Sequence, residues 1–338
     1  MLKKSMVLVM VAMITLGFAA GYGTAKVSAK SGQEPDKQTV ALLMAQRDEW
    51  LSEFEDAAVE AAADKGYDLR CYDAGDNNEK QLDCVRMACE NGAEVLIVNL
   101  TRNELANEIV SAAGDMKVVF VNRMPQDISL LNENVVYVGS DERESGYYQG
   151  AALADHFKRL GKTQVRYLMV QGTGGMEHTR QRSEGALKAL ADQGIRTVEA
   201  AKAQECGFSR QTAQEKMTAV LQNTKDIDCI IANNDAMALG TIQAMENLDI
   251  SPESIPVVGI DLLADAREAV ASGKMLMSVL QDVDGQAQTA VETAINLENN
   301  RKFNEGIDRE LDDTGISPYI IWIPFEPVDQ ENIAEFQS

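Results

Sequence analysis

The chain has 338 residues, 45% of them hydrophobic and 25% charged, a composition that is ordinary for a globular protein of about two domains. Its 31 basic and 53 acidic residues give a formal charge of −22, which disfavours nucleic acids and anionic membranes as partners because like charges repel. Two histidines and five cysteines form no CxxC or HExxH pattern, so the sequence predicts no zinc or other metal site and no disulfide scaffold.

The N-terminal residues are predicted to be an export signal rather than part of the fold. Lys3 and Lys4 precede the uncharged apolar run Met6–Ala20, and the small residues ending at Ala29 suit a cleavage site. Residues 1–29 are therefore expected to be a signal peptide, and the mature protein is expected in the periplasm or another extracytoplasmic space. An uncleaved anchor is the alternative that stays open, although the run is shorter than the ~20 residues of a usual membrane span.

From Thr39 onward, short β-rich runs alternate with longer helical patterns. The predicted strands are Val40–Ala45, Asp68–Tyr72, Val95–Leu100, Val118–Asn122, Val135–Val138, Gln164–Val170, Thr197–Ala200, Cys229–Ala232, Pro256–Ile260, Met277–Leu280 and Tyr319–Pro324. The predicted helices include Trp50–Lys65, Lys80–Asn91, Ser145–Leu160, Gln181–Gln193, Gln211–Gln222, Met237–Asn247 and Gln286–Asn299. This alternation is typical of parallel sheets covered by helices. The predicted strands are also more numerous than a single open sheet usually contains. We therefore predict an α/β fold of two doubly wound parallel-sheet lobes.

Planar polar side chains follow four of the predicted strands, where open α/β sheets bind their ligands. The four strand-end sequences are Asn122-Arg123, Asn233-Asn234-Asp235, Asp261 and Gln281-Asp282. Amide, carboxylate and guanidinium groups can each pair with two neighbouring hydroxyls, so this set favours a polyhydroxylated ligand. The alternative, which stays open at this point, is that these residues only cap the helices that follow.

Two aromatic residues stand in polar, loop-like segments. Trp50 occurs in "AQRDEWL" and Phe208 occurs in "ECGFSRQ". The apolar face of a sugar ring packs on aromatic rings, so both residues are candidates for a sugar site, with ordinary core packing as the alternative.

Sequence patterns typical of catalysis are weak. There is no GxSxG nucleophile elbow, and "LGKT" at Leu160–Thr163 has His156 where a P-loop needs its first glycine. The segment "GTGGME" at Gly172–Glu177 is not GxGxxG and is predicted to be a tight turn. We therefore expect a binding protein that needs no cofactor, and not an enzyme.

Several stretches carry a resemblance to a known family: "VVFVNRMP", "YVGSDERESGYYQG", "IIANNDAMALGTIQAM", "VVGIDLLADAREAVASGKM" and "IIWIPFEPVDQENIAEF". Of these, "NNDAMALG" and the C-terminal tail are fairly specific. On these stretches the chain, nearly from end to end after the export signal, resembles the type I periplasmic sugar-binding proteins of ABC transporters. The galactose/glucose-binding subgroup is the most similar.

The resemblance implies a sugar held between the two lobes. Asp48 corresponds to an acid that accepts a hydrogen bond from the hydroxyl at which galactose and glucose differ. Trp50 and Phe208 correspond to two rings that sandwich the pyranose. The other hydrogen-bonding residues that the resemblance implies are Asn122, Arg182, Asn234, Asp261 and Gln281.

The resemblance also implies how the lobes are divided along the chain. The N-terminal lobe is expected to comprise residues 38–140 plus 283–318, and the C-terminal lobe residues 141–282 plus 319–338. A three-segment hinge would join them near Ser140–Asp141, Asp282–Val283 and Ser317–Tyr319. Sugar binding would then close the lobes by a hinge motion.

The chain departs from the subgroup at places near the expected site. Met44 stands where the subgroup usually has a tyrosine, and Met176 and His178 stand where it has a histidine and an acid. His178 is expected to donate to the sugar in place of that acid, with Glu177 as the alternative. The segment "LGKTQ" falls where the subgroup has a calcium loop and cannot supply its oxygen ligands, so no calcium is expected there.

The expected function is therefore the capture of a galactose- or glucose-like monosaccharide by a monomer that delivers it to an ABC permease. The alternative is a membrane-held or soluble sensor that presents a pentose or another sugar to a chemoreceptor or a sensor kinase. A sugar-responsive transcription regulator would need a DNA-binding headpiece where this chain has an export signal. An exported enzyme would turn over the compound that it binds.

Overall fold

The computed structural model describes residues 39–336, so the predicted export signal lies outside the described residues. The strands are β1 (Val40–Met44), β2 (Arg70–Asp73), β3 (Val95–Val98), β4 (Lys117–Val121), β5 (Val135–Gly139), β6 (Gln164–Gln171), β7 (Arg196–Glu199), β8 (Gln204–Glu205), β9 (Cys229–Ala232), β10 (Val257–Val258), β11 (Met277–Gln281), β12 (Ile320–Trp322) and β13 (Phe325–Asp329). The α-helices are α1 (Glu49–Asp64), α2 (Asn78–Glu90), α3 (Ala106–Ala113), α4 (Glu142–Arg159), α5 (Glu177–Asp192), α6 (Arg210–Asn223), α7 (Asp235–Asn247), α8 (Ala264–Ala271) and α9 (Val283–Glu298).

Two separate sheets form the centres of two lobes. The first sheet has the strand order β12-β5-β4-β3-β1-β2, with every pair parallel. The second has the order β13-β11-β10-β9-β6-β7, with β8 also paired to β6 and with β13 antiparallel to β11. Helices α1, α2, α3 and α9 pack on the first sheet, and α4 to α8 pack on the second. The predicted α/β fold of two mainly parallel-sheet lobes is confirmed.

Local sequence explains most of these elements. All residues of β1, β3 and β9 are buried, as expected for strands of a parallel sheet covered on both faces. Polar residues stand just before the helices, where Asp48, Asn77 and Asp282 accept hydrogen bonds from backbone amides of the first turn. Alternating apolar runs and capping residues are therefore enough to place these strands and helix starts.

The predicted elements differ from the structure at short or peripheral segments. The sequence analysis did not name β8, α3, α8 or β13. The predicted strand Tyr319–Pro324 is shorter in the structure, where β12 ends at Trp322 and β13 begins at Phe325. Pro324 lies between them and has no N–H with which to continue the ladder.

The chain passes between the lobes at three places. The first two lie at Ser140–Asp141, between β5 and α4, and at Asp282, between β11 and α9. The third lies at Ile323–Pro324, which corrects the predicted crossing at Ser317–Tyr319. The reason is that β12 pairs with β5 of the first sheet, so the first lobe extends to Trp322 and not to residue 318.

Helices α4 and α5 approach each other closely because glycines face their contact. A side chain at Gly146 would overlap the main chain of Arg182, and one at Gly150 would overlap that of Ala186. The close packing places Arg182 of α5 beside the start of α4, next to the first crossing between the lobes.

The cysteines of the described range are free thiols. Cys84, Cys206 and Cys229 are buried, where they pack as small apolar side chains. Across residues 39–336, no helix has both the length and the apolar character that crossing a bilayer requires.

Candidate functional site

A narrow cavity lies between the two lobes, next to the carboxyl ends of β4, β9 and β11. We call it the inner cavity; the free space between its walls is about 30 Å³, so a ligand larger than a water molecule would need the lobes to move slightly apart. All the predicted site residues line it: Asp48, Trp50, Asn122, His178, Arg182, Phe208, Asn234, Asp261 and Gln281. Leu51 and Arg123 complete the wall. The strand-end residues come from two sheets whose edges face each other across the cleft.

The start of α1 provides part of one wall through Asp48. Oδ1 of Asp48 accepts the N–H of Leu51 at 2.9 Å, and Oδ2 accepts Nε2 of Gln46 at 3.1 Å. The carboxylate is half-buried and held in one orientation by these two bonds. Each carboxylate oxygen can accept a second hydrogen bond, so Asp48 keeps capacity for a ligand hydroxyl.

Trp50 bridges the gap between the lobes. Its indole Nε1 donates to the main-chain oxygen of Gln281 at 3.1 Å, and the residue is 5% exposed. Its ring stacks on Phe54 with 5.7 Å between the ring centroids. Because Trp50 belongs to the first lobe and Gln281 to the second, this contact exists only while the lobes are together.

Asn122 and Arg123 follow β4 on the first-lobe side. Asn122 has a left-handed backbone (φ 60°), and its side-chain oxygen accepts Nδ2 of Asn99 at 3.1 Å. Arg123 donates from Nη1 to the main-chain oxygen of Leu100 at 2.8 Å, while its buried Nε has no partner in the described part of the chain. Burial lowers the pKa of Arg123 to about 10, so the guanidinium remains charged at neutral pH.

Arg182 is tied to residues beside two of the crossings between lobes. Its Nε and Nη2 donate to the carboxylate of Glu142 at 2.6 and 2.9 Å, and Nη2 also donates to Oε1 of Gln281 at 3.0 Å. Its Nη1 donates to the main-chain oxygen of Asn233 at 2.8 Å, which leaves one N–H of Nη1 for a ligand. Burial alone would lower the pKa of Arg182, but the adjacent carboxylate of Glu142 outweighs it and raises the pKa.

Further buried polar groups of the inner cavity lack partners within residues 39–336, besides Nε of Arg123. Nε2 of Gln281 has no acceptor, and Nδ1 of His178 has no partner. The carboxylate of Asp261 has no hydrogen-bond donor, although the residue is only 6% exposed. Burial raises the pKa of Asp261 well above its usual range; Arg182 opposes this shift, and the carboxylate of Asp235 adds to it. A ligand hydroxyl could donate to Asp261 and accept from Gln281.

The strand-end residues differ in whether they cap a helix, line the cavity or do both. Asn234 does both, since its side chain accepts the N–H of Met237 at 3.0 Å and also lines the inner cavity, and its contact with a sugar stays a prediction. Asp282 caps α9 through the N–H of Gly285 at 2.8 Å and does not line the cavity. Asp235 lies behind the wall, where its carboxylate accepts the hydroxyl of Ser278 at 2.8 Å.

His178 and Phe208 enter the wall as a stacked pair, with 5.1 Å between ring centroids and 25° between ring planes. Burial lowers the pKa of His178 well below its usual range, and the positive charges of Arg123 and Arg182 lower it further, so the imidazole is neutral. Phe208 has a left-handed backbone (φ 62°), and its ring lies so close to Gly172 that any side chain there would overlap it. The sugar sandwich between Trp50 and Phe208 stays a prediction.

Not all of the residues that differ from the galactose/glucose subgroup line the inner cavity. Met44 and Met176 are 0% and 2% exposed and belong to the apolar core, and neither lines the inner cavity. Glu177, the alternative to His178, pairs with Arg180 at 3.0 Å and does not line it either. Of these residues, only His178 contributes to the wall.

Three residues that shape the site were not among those predicted to contact the sugar. Arg123 was recognised as a strand-end residue next to Asn122, but only Asn122 was selected as a site residue. Leu51 and Glu142 carried no such signal, because an apolar residue and an acid at helix starts are common. Among the described residues, no group of three or more His, Cys, Asp or Glu side chains is placed to hold a metal ion.

Comparison with known proteins decides the family. The periplasmic binding protein domain matches residues 40–302. The chain belongs to this family. A candidate rhizopine-binding protein of Rhizobium meliloti is 30% identical to this periplasmic binding protein over 275 residues, covering 81% of this chain and 83% of the relative.

Two further similar proteins indicate which type of periplasmic binding protein this chain resembles. The D-galactose/methyl-galactoside binding periplasmic protein MglB of Haemophilus influenzae is 29% identical over 288 residues, covering 82% of this chain and 84% of MglB. A solved ABC transporter solute binding protein from Bacillus halodurans with bound myo-inositol is 27% identical, with a TM-score of 0.75, covering 91% of this chain and 99% of that one.

These comparisons confirm the resemblance to type I periplasmic sugar-binding proteins of ABC transporters. The family consists of solute-binding proteins rather than enzymes, its partners are a sugar and an ABC transporter, and it implies an extracytoplasmic location. The inner cavity of this periplasmic binding protein is the candidate site for its solute.

Proposed function

We propose that this periplasmic binding protein holds one neutral six-membered sugar, galactose- or glucose-like, in the inner cavity and delivers it to an ABC permease. The main support is that the side chains predicted to contact a sugar all line one cavity between the two lobes. Within it the buried carboxylate of Asp261 has no donor from residues 39–336. A desolvated carboxylate without a donor is costly, so a ligand that donates hydroxyls is favoured.

The charges of the wall favour a neutral ligand over an ionic one. Asp48 and Asp261 contribute negative charge, Arg123 contributes positive charge, and Arg182 is neutralised by Glu142 at 2.6 Å. Acceptors and donors therefore stand around the same small space. A ring of hydroxyls can donate to the carboxylates and accept from the arginines at the same time.

A cyclic polyol is the second candidate, because the Bacillus halodurans protein of the same fold holds myo-inositol. A pyranose has a ring oxygen that only accepts hydrogen bonds, whereas each ring carbon of an inositol carries a hydroxyl. The free N–H groups on Arg123 and Arg182 can donate to a ring oxygen or to a hydroxyl oxygen, so they suit both candidates. We place the hexose first because the galactose-binding protein of Haemophilus influenzae is 29% identical over 288 residues.

Calorimetric titration of refolded mature protein with galactose, glucose, ribose, xylose and myo-inositol tests this proposal. Refolding matters because a closed protein of this kind can retain ligand through purification. Micromolar or tighter binding of galactose and glucose supports the hexose, and tighter binding of myo-inositol selects the cyclic polyol. If only ribose or xylose binds, the proposal of a hexose ligand is rejected. If none of these compounds binds, sugar binding at this cavity is rejected.

A further inference from the structure

A second space adjoins the inner cavity at the mouth of the cleft. This space, which we call the outer recess, has a volume of about 660 Å³. Asp48 and Phe208 line both spaces and therefore stand at the junction between them. The rest of its wall comes from residues between Gln46 and Ser52 in the first lobe and from α6 and α7 in the second. The outer recess, like the inner cavity, is therefore completed by both lobes.

Neutral hydrogen-bonding side chains form a large part of the wall of the outer recess. Six of its lining residues carry an amide or a hydroxyl group: Gln46, Ser52, Ser209, Gln211, Gln214 and Gln243. The side-chain amides of Gln214 and Gln243 make no hydrogen bond within the described range of the chain. Each amide offers one acceptor and two donors in a plane, which suits neighbouring hydroxyls of a sugar.

The charged side chains of the recess other than Asp48 are already paired with opposite charges. Arg47 binds Glu55 at 2.7 Å, and Arg210 binds Glu49 at 2.6 Å and Asp265 at 2.7 Å. An anion would have to compete with these carboxylates for the guanidinium groups, whereas a neutral polyhydroxylated group would not. The contact between Arg210 and Glu49 also joins the two lobes at this rim.

We propose that the outer recess is a second sugar subsite, so that the protein accepts a glycoside or a disaccharide as well as a single ring. This proposal rests on the proposed function, because one unit of the ligand would occupy the inner cavity. The second unit would pass the junction at Asp48 and Phe208 and form hydrogen bonds with Gln214 and Gln243. The ligand class is a neutral disaccharide or a glycoside with a hydroxylated second unit.

The test compares single rings with two-ring ligands by calorimetry on the whole mature protein. The probes are galactose, glucose, lactose, melibiose, cellobiose and maltose. The proteins are the unchanged chain, the double variant Gln214→Ala/Gln243→Ala, the filling variant Gln243→Trp and the control Gln222→Ala. Gln222 is an exposed residue of α6 that does not line the recess, whereas Gln243 is an exposed residue that does.

We expect at least one disaccharide to bind within about tenfold of the better single ring. The double variant should lose about tenfold in disaccharide affinity, the size expected for two neutral hydrogen bonds. Gln243→Trp should abolish disaccharide binding by filling the space. Affinity for the single ring should stay unchanged in every variant, which also shows that each variant is folded, and the Gln222→Ala control should change neither affinity.

Two outcomes overturn the subsite while leaving the proposed function intact. One is single-ring binding with no disaccharide binding in the unchanged chain. The other is disaccharide binding that neither the double variant nor Gln243→Trp reduces, since the second unit would then lie elsewhere. If neither a single ring nor a disaccharide binds, the proposed function fails and the subsite fails with it.

Discussion

Replacement of Asp261 by asparagine should have opposite effects on ligand binding and on the stability of the ligand-free protein. Asp261 is 6% exposed, and its carboxylate receives no hydrogen bond from the described residues. Burial raises its pKa well above the usual range, the positive charge of Arg182 opposes this, and the carboxylates of Asp235 and Asp48 add to it. The substitution Asp261→Asn removes the charge and keeps the shape.

The sign of the stability effect follows from the raised pKa. A carboxyl group whose pKa is higher in the folded state contributes most below its unfolded pKa of about 3.9 and loses that contribution as the pH rises towards the folded pKa. Each pKa unit of this shift corresponds to about 1.4 kcal/mol at a pH above both values. At neutral pH Asp261 therefore makes the ligand-free fold less stable than at acid pH, and asparagine, which does not titrate, should stabilise it.

The effect on binding has the opposite sign. In the proposed complex, a sugar hydroxyl donates to the carboxylate, and hydrogen bonds to charged groups contribute about 1.5–3 kcal/mol. Loss of one such bond predicts about a ten- to 150-fold weaker affinity. The asparagine can still accept a hydrogen bond but offers no charge, so the loss should lie at the low end of this range, about tenfold.

Thermal unfolding and calorimetry together measure both effects. The Asp261→Asn variant should have a higher Tm than the unchanged protein without sugar, and a smaller rise in Tm when sugar is added. Asp56→Asn is the matched control, because Asp56 is an exposed acid of α1 whose removal changes the net charge equally. The variant should also show a smaller decline in ligand-free stability above about pH 4 than the unchanged protein, with the remaining decline coming from Asp235, whose pKa burial raises to about 7. A lower Tm with unchanged sugar affinity would refute the reasoning.

Three further substitutions test the geometry around the site. Glu142→Ala should lower stability by about 3–5 kcal/mol, seen as a large drop in Tm, because it leaves the guanidinium of Arg182 buried without its counter-charge; an unchanged Tm would contradict this. Arg210→Met should weaken sugar binding by about two- to fivefold at low salt, because the half-exposed ion pair between Arg210 and Glu49 contributes up to about 1 kcal/mol to closing the lobes. An equal loss of affinity at high salt would show that the ion pair is not the reason, since salt screens it. Gly172→Ala should lower the free energy of unfolding by about 1–3 kcal/mol, because the new side chain forces the ring of Phe208 aside. Adding Phe208→Leu to the same chain should restore stability if that overlap is the reason.

Much of the fold could be predicted because its signals are local. The run Cys229–Ala232 was predicted with the bounds that β9 has, since four apolar residues followed by amides and an acid indicate a buried strand and a helix start. The end of the chain was predicted less well. Which sheet receives Ile320–Trp322 depends on pairing with β5, a segment almost two hundred residues earlier, and no local pattern encodes that partner.

The sequence by itself determined which chemical groups the chain could bring to a ligand, namely amides, acids and guanidiniums at strand ends and two aromatic residues in polar segments. Only the tertiary structure decided which of those groups remain available. Most donors of Arg182 are used by protein acceptors, chiefly the carboxylate of Glu142, and the carboxylate of Asp282 accepts from the first turn of its own helix. Asp261, in contrast, is buried without a hydrogen-bond donor. The physical reason is that a strand-end residue type follows from local sequence, but its burial and its partners depend on segments that only folding brings together.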